Sequence, residues 1–284
     1  MAVLLDGIAY GLQLALLAVG LTMIYGLGGV LNLAHGQFAV VTGISAAVLL
    51  DRGLGLAAAL VIGVALAAVL ALITDATIMR AAYRLAGEAR VLLSLLLTIG
   101  LAFVLDGLLI YNYPFAQLNV RVPGPAVPVL GVPVRRGSLA ASALALVALL
   151  LLIGFLRYTR QGKAVRSIIE DEEGARLCGI DPGRVRTGVF VLSGALAGLA
   201  AVAESMRSSI GATDGTELTI LALIVTVVGG LGSVAGALLA GLLLGIIYTL
   251  SQVYIGAYVT FIILLLAAMV TILIRPSGLL GRGA

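Results

Sequence analysis

The sequence predicts an all-α fold of the membrane class: a polytopic helical bundle of about eight transmembrane helices, nine or ten if broken or re-entrant segments are counted separately. Of 284 residues, 62% are apolar and 11% charged, with mean hydropathy +1.21, far from the balance of a water-soluble domain. Gly, Arg and Pro punctuation divides the chain into apolar stretches near the ~20 residues that a bilayer crossing needs. Runs such as Ala57 to Ile73 are apolar on every face, without the alternation of a membrane barrel.

The first stretch, Gly7 to Leu31, is long enough to span, and it stops in a Gly-rich polar break, G-L-G-G-V-L-N-L-A-H-G-Q (Gly26 to Gln37). Phe38 to Leu50 is too short to cross unless part of Asn32 to Gln37 enters the membrane with it. Asp51 and Arg52 close that hairpin. Leu54 to Met79 is a third span, a basic loop follows at Arg80, Arg84, Glu88 and Arg90, and Val91 to Tyr113 is the fourth. Five of the seven prolines fall between Pro114 and Gly137, which excludes a regular helix there and predicts an extended or turn-rich loop. Ser138 to Leu156 is the fifth span. Arg157 to Arg186 is the long hydrophilic stretch, with seven basic and five acidic residues. Thr187 to Ala203 is the sixth span, and Leu218 to Val228 is a second short apolar run, ending at G-G-L-G-S (Gly229 to Ser233). Ala235 to Leu250 and Ala257 to Ile274 complete the membrane part, and R-P-S-G-L-L-G-R-G-A is the tail.

Loop charge predicts orientation. With the Arg80 to Arg90 loop, the Arg157 to Arg186 loop and the tail in the cytoplasm, twelve basic residues lie inside and five (Arg52, Arg121, Arg135, Arg136, Arg207) outside, as the positive-inside rule requires. The chain is then one transmembrane domain over 1–284, with the Pro-rich loop at 114–137 outside and the loop at 157–186 in the cytoplasm. The N-terminus lacks a basic start and runs directly into an apolar stretch, so a cleaved signal peptide is not expected. Glycines at helical spacing, Gly7/Gly11, Gly194/Gly198, Gly232/Gly236 and Gly241/Gly245, permit close helix packing.

The net charge of +4 sits mostly in loops and does not suggest nucleic acid. One cysteine, Cys178, and one histidine, His35, exclude an intrachain disulfide and a metal site of those ligands. Gly162-Lys163 is followed by Ala164, so no phosphate-binding loop is present, and no clustered catalytic set points to an enzyme. Few ionisable residues, such as Asp75, Asp106 and His35, fall within spans, which disfavours ion-coupled transport. Asn32 and His35, spaced i, i+3, share a face if the segment is helical, with Gly36 leaving the adjacent backbone open. They either meet a passing polar solute or satisfy backbone groups freed by the break. Asp106 and Glu204 read as carboxylates near outer ends that reach water, Glu204 with Arg207 one turn away. Gly229, Gly230, Gly232 and Ser233 permit an unwound, flexible stretch. Lys163 to Arg176 predicts one short amphipathic helix with Val165, Ile168, Ile169 and Glu172 on one side and Arg166, Glu170, Asp171 and Glu173 largely elsewhere, either a docking element for a cytosolic partner or a solvated interfacial helix with none. C-G-I-D-P, with Gly179 and Pro182, ends it.

At N-L-A-H-G (Asn32 to Gly36), R-Y-T-R-Q-G-K-A-V-R (Arg157 to Arg166) with A-R-L-C-G-I-D (Ala175 to Asp181), and G-G-L-G-S-V-A-G (Gly229 to Gly236), the chain resembles the permease subunits of branched-chain amino-acid ABC importers, LivH type. The tail R-P-S-G-L-L-G-R fits as well, and the resemblance runs over essentially the whole chain. Gln37 stands where many members carry a Glu, so an acid's role does not transfer there. The resemblance implies a bacterial inner-membrane subunit forming half of a translocation pathway, with Asn32, His35, Gly36 and Gln37 as candidates to line it and Gly229 to Ser233 as a gating segment. It implies a homologous LivM-like permease partner or a second copy, two ATP-binding cassette subunits that hold ATP and Mg, and a periplasmic binding protein, within membrane lipid and with no cofactor in this chain. Arg160, Gly162, Lys163, Arg166, Ile168, Ile169, Glu170, Asp171, Ala175, Gly179 and Ile180 are the expected ATPase-coupling residues. The alternative is an ATP-independent channel for a small neutral solute such as urea or an amide.

Overall fold

The computed structural model describes residues 2–129 and 132–281, and within them the apolar stretches become helices. Leu130, Gly131 and the tail's Arg282, all part of the sequence reading, lie outside the described residues. The helices are α1 (Ala2–Gly28), α2 (His35–Asp51), α3 (Leu56–Thr74), α4 (Arg80–Tyr83), α5 (Gly87–Asn112), α6 (Arg136–Tyr158), α7 (Arg160–Glu170), α8 (Glu172–Leu177), α9 (Pro182–Arg207), α10 (Gly215–Gly229), α11 (Val234–Tyr254) and α12 (Ala257–Ile274). A π-helical turn, Asp75–Met79, joins α3 to α4.

Seven helical segments among the described residues are long and apolar enough to cross a membrane, and α2 and α10 are shorter apolar helices. At 1.5 Å per residue α2 and α10 extend about 25 and 22 Å, short of the ~30 Å hydrocarbon layer. Each follows a non-helical segment, residues 29–34 before α2 and 208–214 before α10.

Contacts define the two ends. At one, Arg90 Nη1 donates to the Gly28 carbonyl (3.1 Å), Arg186 Nε donates to that of Leu27 (3.3 Å), and the tail meets α10. The α7–α8 loop lies at this same basic end, since Arg186 also pairs with Glu172. At the other end are the Pro-rich segment and the start of α6, with Val120 N donating to the Ser205 carbonyl (2.8 Å). There β1 (Gln117–Leu118) pairs with β4 (Ile210–Gly211), and β2 (Val127–Val129) with β3 (Val132–Val134), both antiparallel. These short pairings are all the ladder that so much proline allows.

α1 and α9 form the bundle's centre, while α3, α5, α6 and α12 are largely exposed on its outside. Glycine sets the central crossings. A Cβ on Gly245 would overlap Gly11 Cα, one on Gly11 would lie 2.8 Å from Leu242 Cα, and Gly194 and Gly198 similarly admit Ala67, Ala71 and Val64 of α3. Lipid supplies no hydrophobic drive for helix association, so backbone approach of this kind carries the packing. Gly245→Ala is therefore expected to destabilise the bundle by about 1–3 kcal/mol, read as a lower thermal midpoint in detergent. An unchanged midpoint would show that the α1–α11 crossing yields freely.

Helix ends follow local rules. Thr159 Oγ1 accepts from Gly162 N (3.0 Å) to start α7, Asp181 Oδ1 accepts from Gly183 N (2.9 Å) ahead of Pro182 to start α9, and Ser233 Oγ accepts from Gly236 N (3.0 Å) to start α11.

Candidate functional site: the junction of two half-length helices

The first turns of α2 and α10 meet inside the bundle. Gly36 faces Gly215 so closely that a Cβ on Gly36 would overlap the Gly215 carbonyl oxygen. Gly36 N donates to Thr219 Oγ1 (2.9 Å), and that hydroxyl donates to the Gly215 carbonyl (2.9 Å). Two helix starts are thus bound through one threonine, which satisfies an amide that α2 leaves without an intrahelical partner.

The four residues singled out at the first break are all buried within this chain. Residues 30–34 are not helical and α2 begins at His35, so Asn32 and His35 share no helical face. Asn32 Oδ1 instead accepts from Ala34 N (3.0 Å), a local turn that starts the helix. His35 Nε2 lies 3.0 Å from the Leu17 carbonyl, and Nδ1 lies 3.5 Å from Ser193 Oγ. Because a carbonyl only accepts, Nε2 carries the proton and the Ser193 hydroxyl donates to Nδ1. This histidine pins α2 between α1 and α9.

Gln37 turns the other way. Its Nε2 donates to both oxygens of Asp106 on α5 (3.3 Å each), and Thr216 Oγ1 lies 3.5 Å from Asp106 Oδ2. The sequence reading placed Asp106 near an outer end facing water, and missed its attachment to the junction. By helix rise it sits about 9 Å before the end of α5. Two further α5 residues, Ser94 and Thr98, accept from Leu31 N (3.1 Å) and Leu33 N (2.9 Å), so α5 meets two backbone donors of the non-helical segment before α2. Hydroxyls spaced i, i+4 in an apolar helix were the available signal for such a role.

At the second break, α10 ends on Gly229, and Gly230 (φ 102°) and Gly232 (φ 85°) reverse the chain in conformations that favour glycine. The tail seals this end: Leu279 N donates to the Val228 carbonyl (2.8 Å) and Leu280 N to that of Gly229 (3.2 Å).

The α7–α8 loop corrects the sequence reading in two respects. The single helix expected over Lys163 to Arg176 is two helices, because Asp171 is extended (φ −154°, ψ 104°). The expected common face of Val165, Ile168 and Ile169 divides: Val165 and Ile168 pack inward, with Ile168 5% exposed, and Ile169 is 38% exposed. Neighbouring helical residues project about 100° apart, so Ile169 leaves the buried stripe. Gly162 folds α7 tightly onto the end of α6, since a Cβ there would lie 2.6 Å from Leu156 Cα. Ala175 is buried and its carbonyl accepts from Ile180 N (3.0 Å), while Gly179 (φ 83°) closes the turn. Arg160, Lys163, Arg166, Glu170, Asp171, Glu173 and Arg176 are exposed, and Leu177 stands out among them at 91% exposed. Arg186 ties this loop to the bundle: it pairs with Glu172 of α8, donates to the Leu27 carbonyl and lies 5.3 Å over the Tyr83 ring. Tyr83 Oη in turn donates to Asp75 in the π-helical turn (3.2 Å). Glu204 and Arg207 form the expected pair at 2.8 Å, with Arg207 stacked 4.2 Å over Tyr10.

A helical bundle with seven helices long enough to cross a membrane, two shorter apolar helices meeting at a polar junction, and a charged loop tied to its basic end has the build of a multi-pass membrane permease. The family model of the branched-chain amino acid transport system permease component matches residues 3–274, and the chain belongs to that family. It is 31% identical to the high-affinity branched-chain amino acid transport system permease protein LivH of Escherichia coli K12, over 98% of this chain and 94% of that one. It is 30% identical to BraD, the corresponding protein of Pseudomonas aeruginosa, over 98% and 95%. A probable LivH of Methanocaldococcus jannaschii is 29% identical over 98% and 92%. The chain is accordingly a transport subunit and not an enzyme.

Proposed function

We propose that this chain forms half of the translocation pathway of an ABC importer for branched-chain amino acids in a bacterial inner membrane. Its other half is a homologous LivM-like permease or a second copy of the chain. Two ATP-binding subunits, which hold the ATP and Mg, dock on the α7–α8 loop at the cytoplasmic side, and a periplasmic binding protein delivers solute at the side of the Pro-rich segment. The observation that carries this reading is the α7–α8 loop itself: a charged surface with a bare Leu177, tied through Arg186 to α1 and Tyr83. Displacing the loop moves the inner helix ends, so nucleotide-dependent contacts there bias inward- and outward-open states. The concentration of basic residues at the loop's end supports its cytoplasmic placement.

Proteoliposomes holding the chain with its permease partner, ATPases and binding protein are expected to accumulate leucine only when ATP is present. Conduction of urea or another neutral solute by the chain alone, with no ATP requirement, would overturn the assignment in favour of a facilitator.

A further inference from the structure

Asp106 is a carboxylate held from one side only. Behind it, Gln37 Nε2 donates to both carboxylate oxygens and Thr216 Oγ1 lies within 3.5 Å. The carboxylate itself orients the amide: it only accepts, so the nitrogen and not the oxygen of Gln37 faces it. On its other side Asp106 is only half-buried, and Phe103 and Ile110, on the same face of α5, are exposed. Among the described residues no Arg, Lys or His forms an ion pair with Asp106, whereas Glu172, Asp181 and Glu204 each have an arginine.

A carboxylate cannot face lipid without large cost, and an ionisable group inside a span marks a site by default. Its charge must be met from the open side of α5. We infer that Asp106 is a solute-recognition residue, binding the protonated amine of the passing molecule at the level of the α2–α10 junction. The ligand class is a small primary ammonium compound. This rests on the importer reading above and adds to it the group that selects an amine over a neutral isostere. Gln37, fully buried, is the positioning residue: it supplies two hydrogen bonds to the carboxylate and does not reach the solute.

The test uses the complete importer in proteoliposomes, with leucine uptake and ATP hydrolysis measured on the same preparation. Asp106→Asn is expected to lower uptake by about tenfold or more, with subunit co-purification and basal hydrolysis retained, and Asp106→Glu to restore most of the uptake. Gln37→Leu is expected to give an intermediate loss. Uptake by Asp106→Asn within about twofold of the parent would overturn the proposal. So would failure of Asp106→Asn to co-purify with the partner permease, which would make Asp106 the mate of a partner cation. If the asparagine variant does not fold, Asp106→Glu decides: uptake near the parent level supports recognition by charge, and its loss in a folded assembly overturns it. A parent importer that fails to take up leucine defeats the importer reading independently of any Asp106 variant.

Discussion

Gly36→Ala is expected to leave little folded protein in the membrane. The added Cβ overlaps the Gly215 carbonyl oxygen and lies 2.6 Å from Thr219 Oγ1 and 2.7 Å from Thr219 N. Two of these three neighbours are backbone, so rotating a side chain cannot relieve the overlap. Either α2 and α10 separate, which breaks the hydrogen bonds through Thr219, or the junction is lost. Overpacking usually costs about 1–3 kcal/mol, and removal of buried hydrogen bonds adds about 1 kcal/mol or more for each. A sum of this size consumes much of the stability of an ordinary domain. Gly107→Ala supplies the control, because nothing lies within 4 Å of its added methyl. Comparable size-exclusion profiles and thermal midpoints for the two variants would show that the junction is not a packing constraint.

The parts of this architecture visible in the sequence are those announced by contrast. Polar residues from Asn32 to Gln37 and glycines from Gly229 to Gly232 interrupt apolar runs too short to span, so both breaks stand out. The same contrast hides the non-helical chain at 208–214, which has the composition of a surface loop and yet pairs with Gln117 and Leu118 and leads into α10. Asp106 could not be assigned because its partner Gln37 is 69 positions away and the two are brought together only when α5 packs along residues 29–34. Periodicity identified the amphipathic character of 163–170 but placed Ile169 with Ile168. One position of helical rotation separates a core residue from a surface one, and composition does not resolve it. The tail's contact with Val228 and Gly229 left no signature beyond the R-P-S-G-L-L-G-R string itself.

That one-position difference sets the second large effect, at the proposed ATPase interface. Ile168 is 5% exposed and packs into this chain, so Ile168→Asp buries a charge with no partner there and is expected to destabilise the loop by about 3 kcal/mol or more. Its damage is to folding, seen as a lower thermal midpoint of the permease by itself. Leu177 is 91% exposed at the end of α8, so Leu177→Asp costs the isolated chain little. An apolar side chain so bare, flanked by the exposed Arg176 and Cys178, is suited to fill a pocket on the ATPase, and truncated anchors of this kind cost about 2 kcal/mol or more. That corresponds to an affinity about 30-fold weaker. Leu177→Asp should therefore leave the thermal midpoint of the free permease unchanged while the ATPase is lost on co-purification. Arg186→Gln separates attachment from transmission: it releases α8 from α1 and Tyr83 without altering the outer surface, so the ATPase should still bind while uptake per ATP hydrolysed falls. Retention of the ATPase by Leu177→Asp at the parent's ratio would remove α8 from the interface, and the force on Arg186 would have to enter from elsewhere.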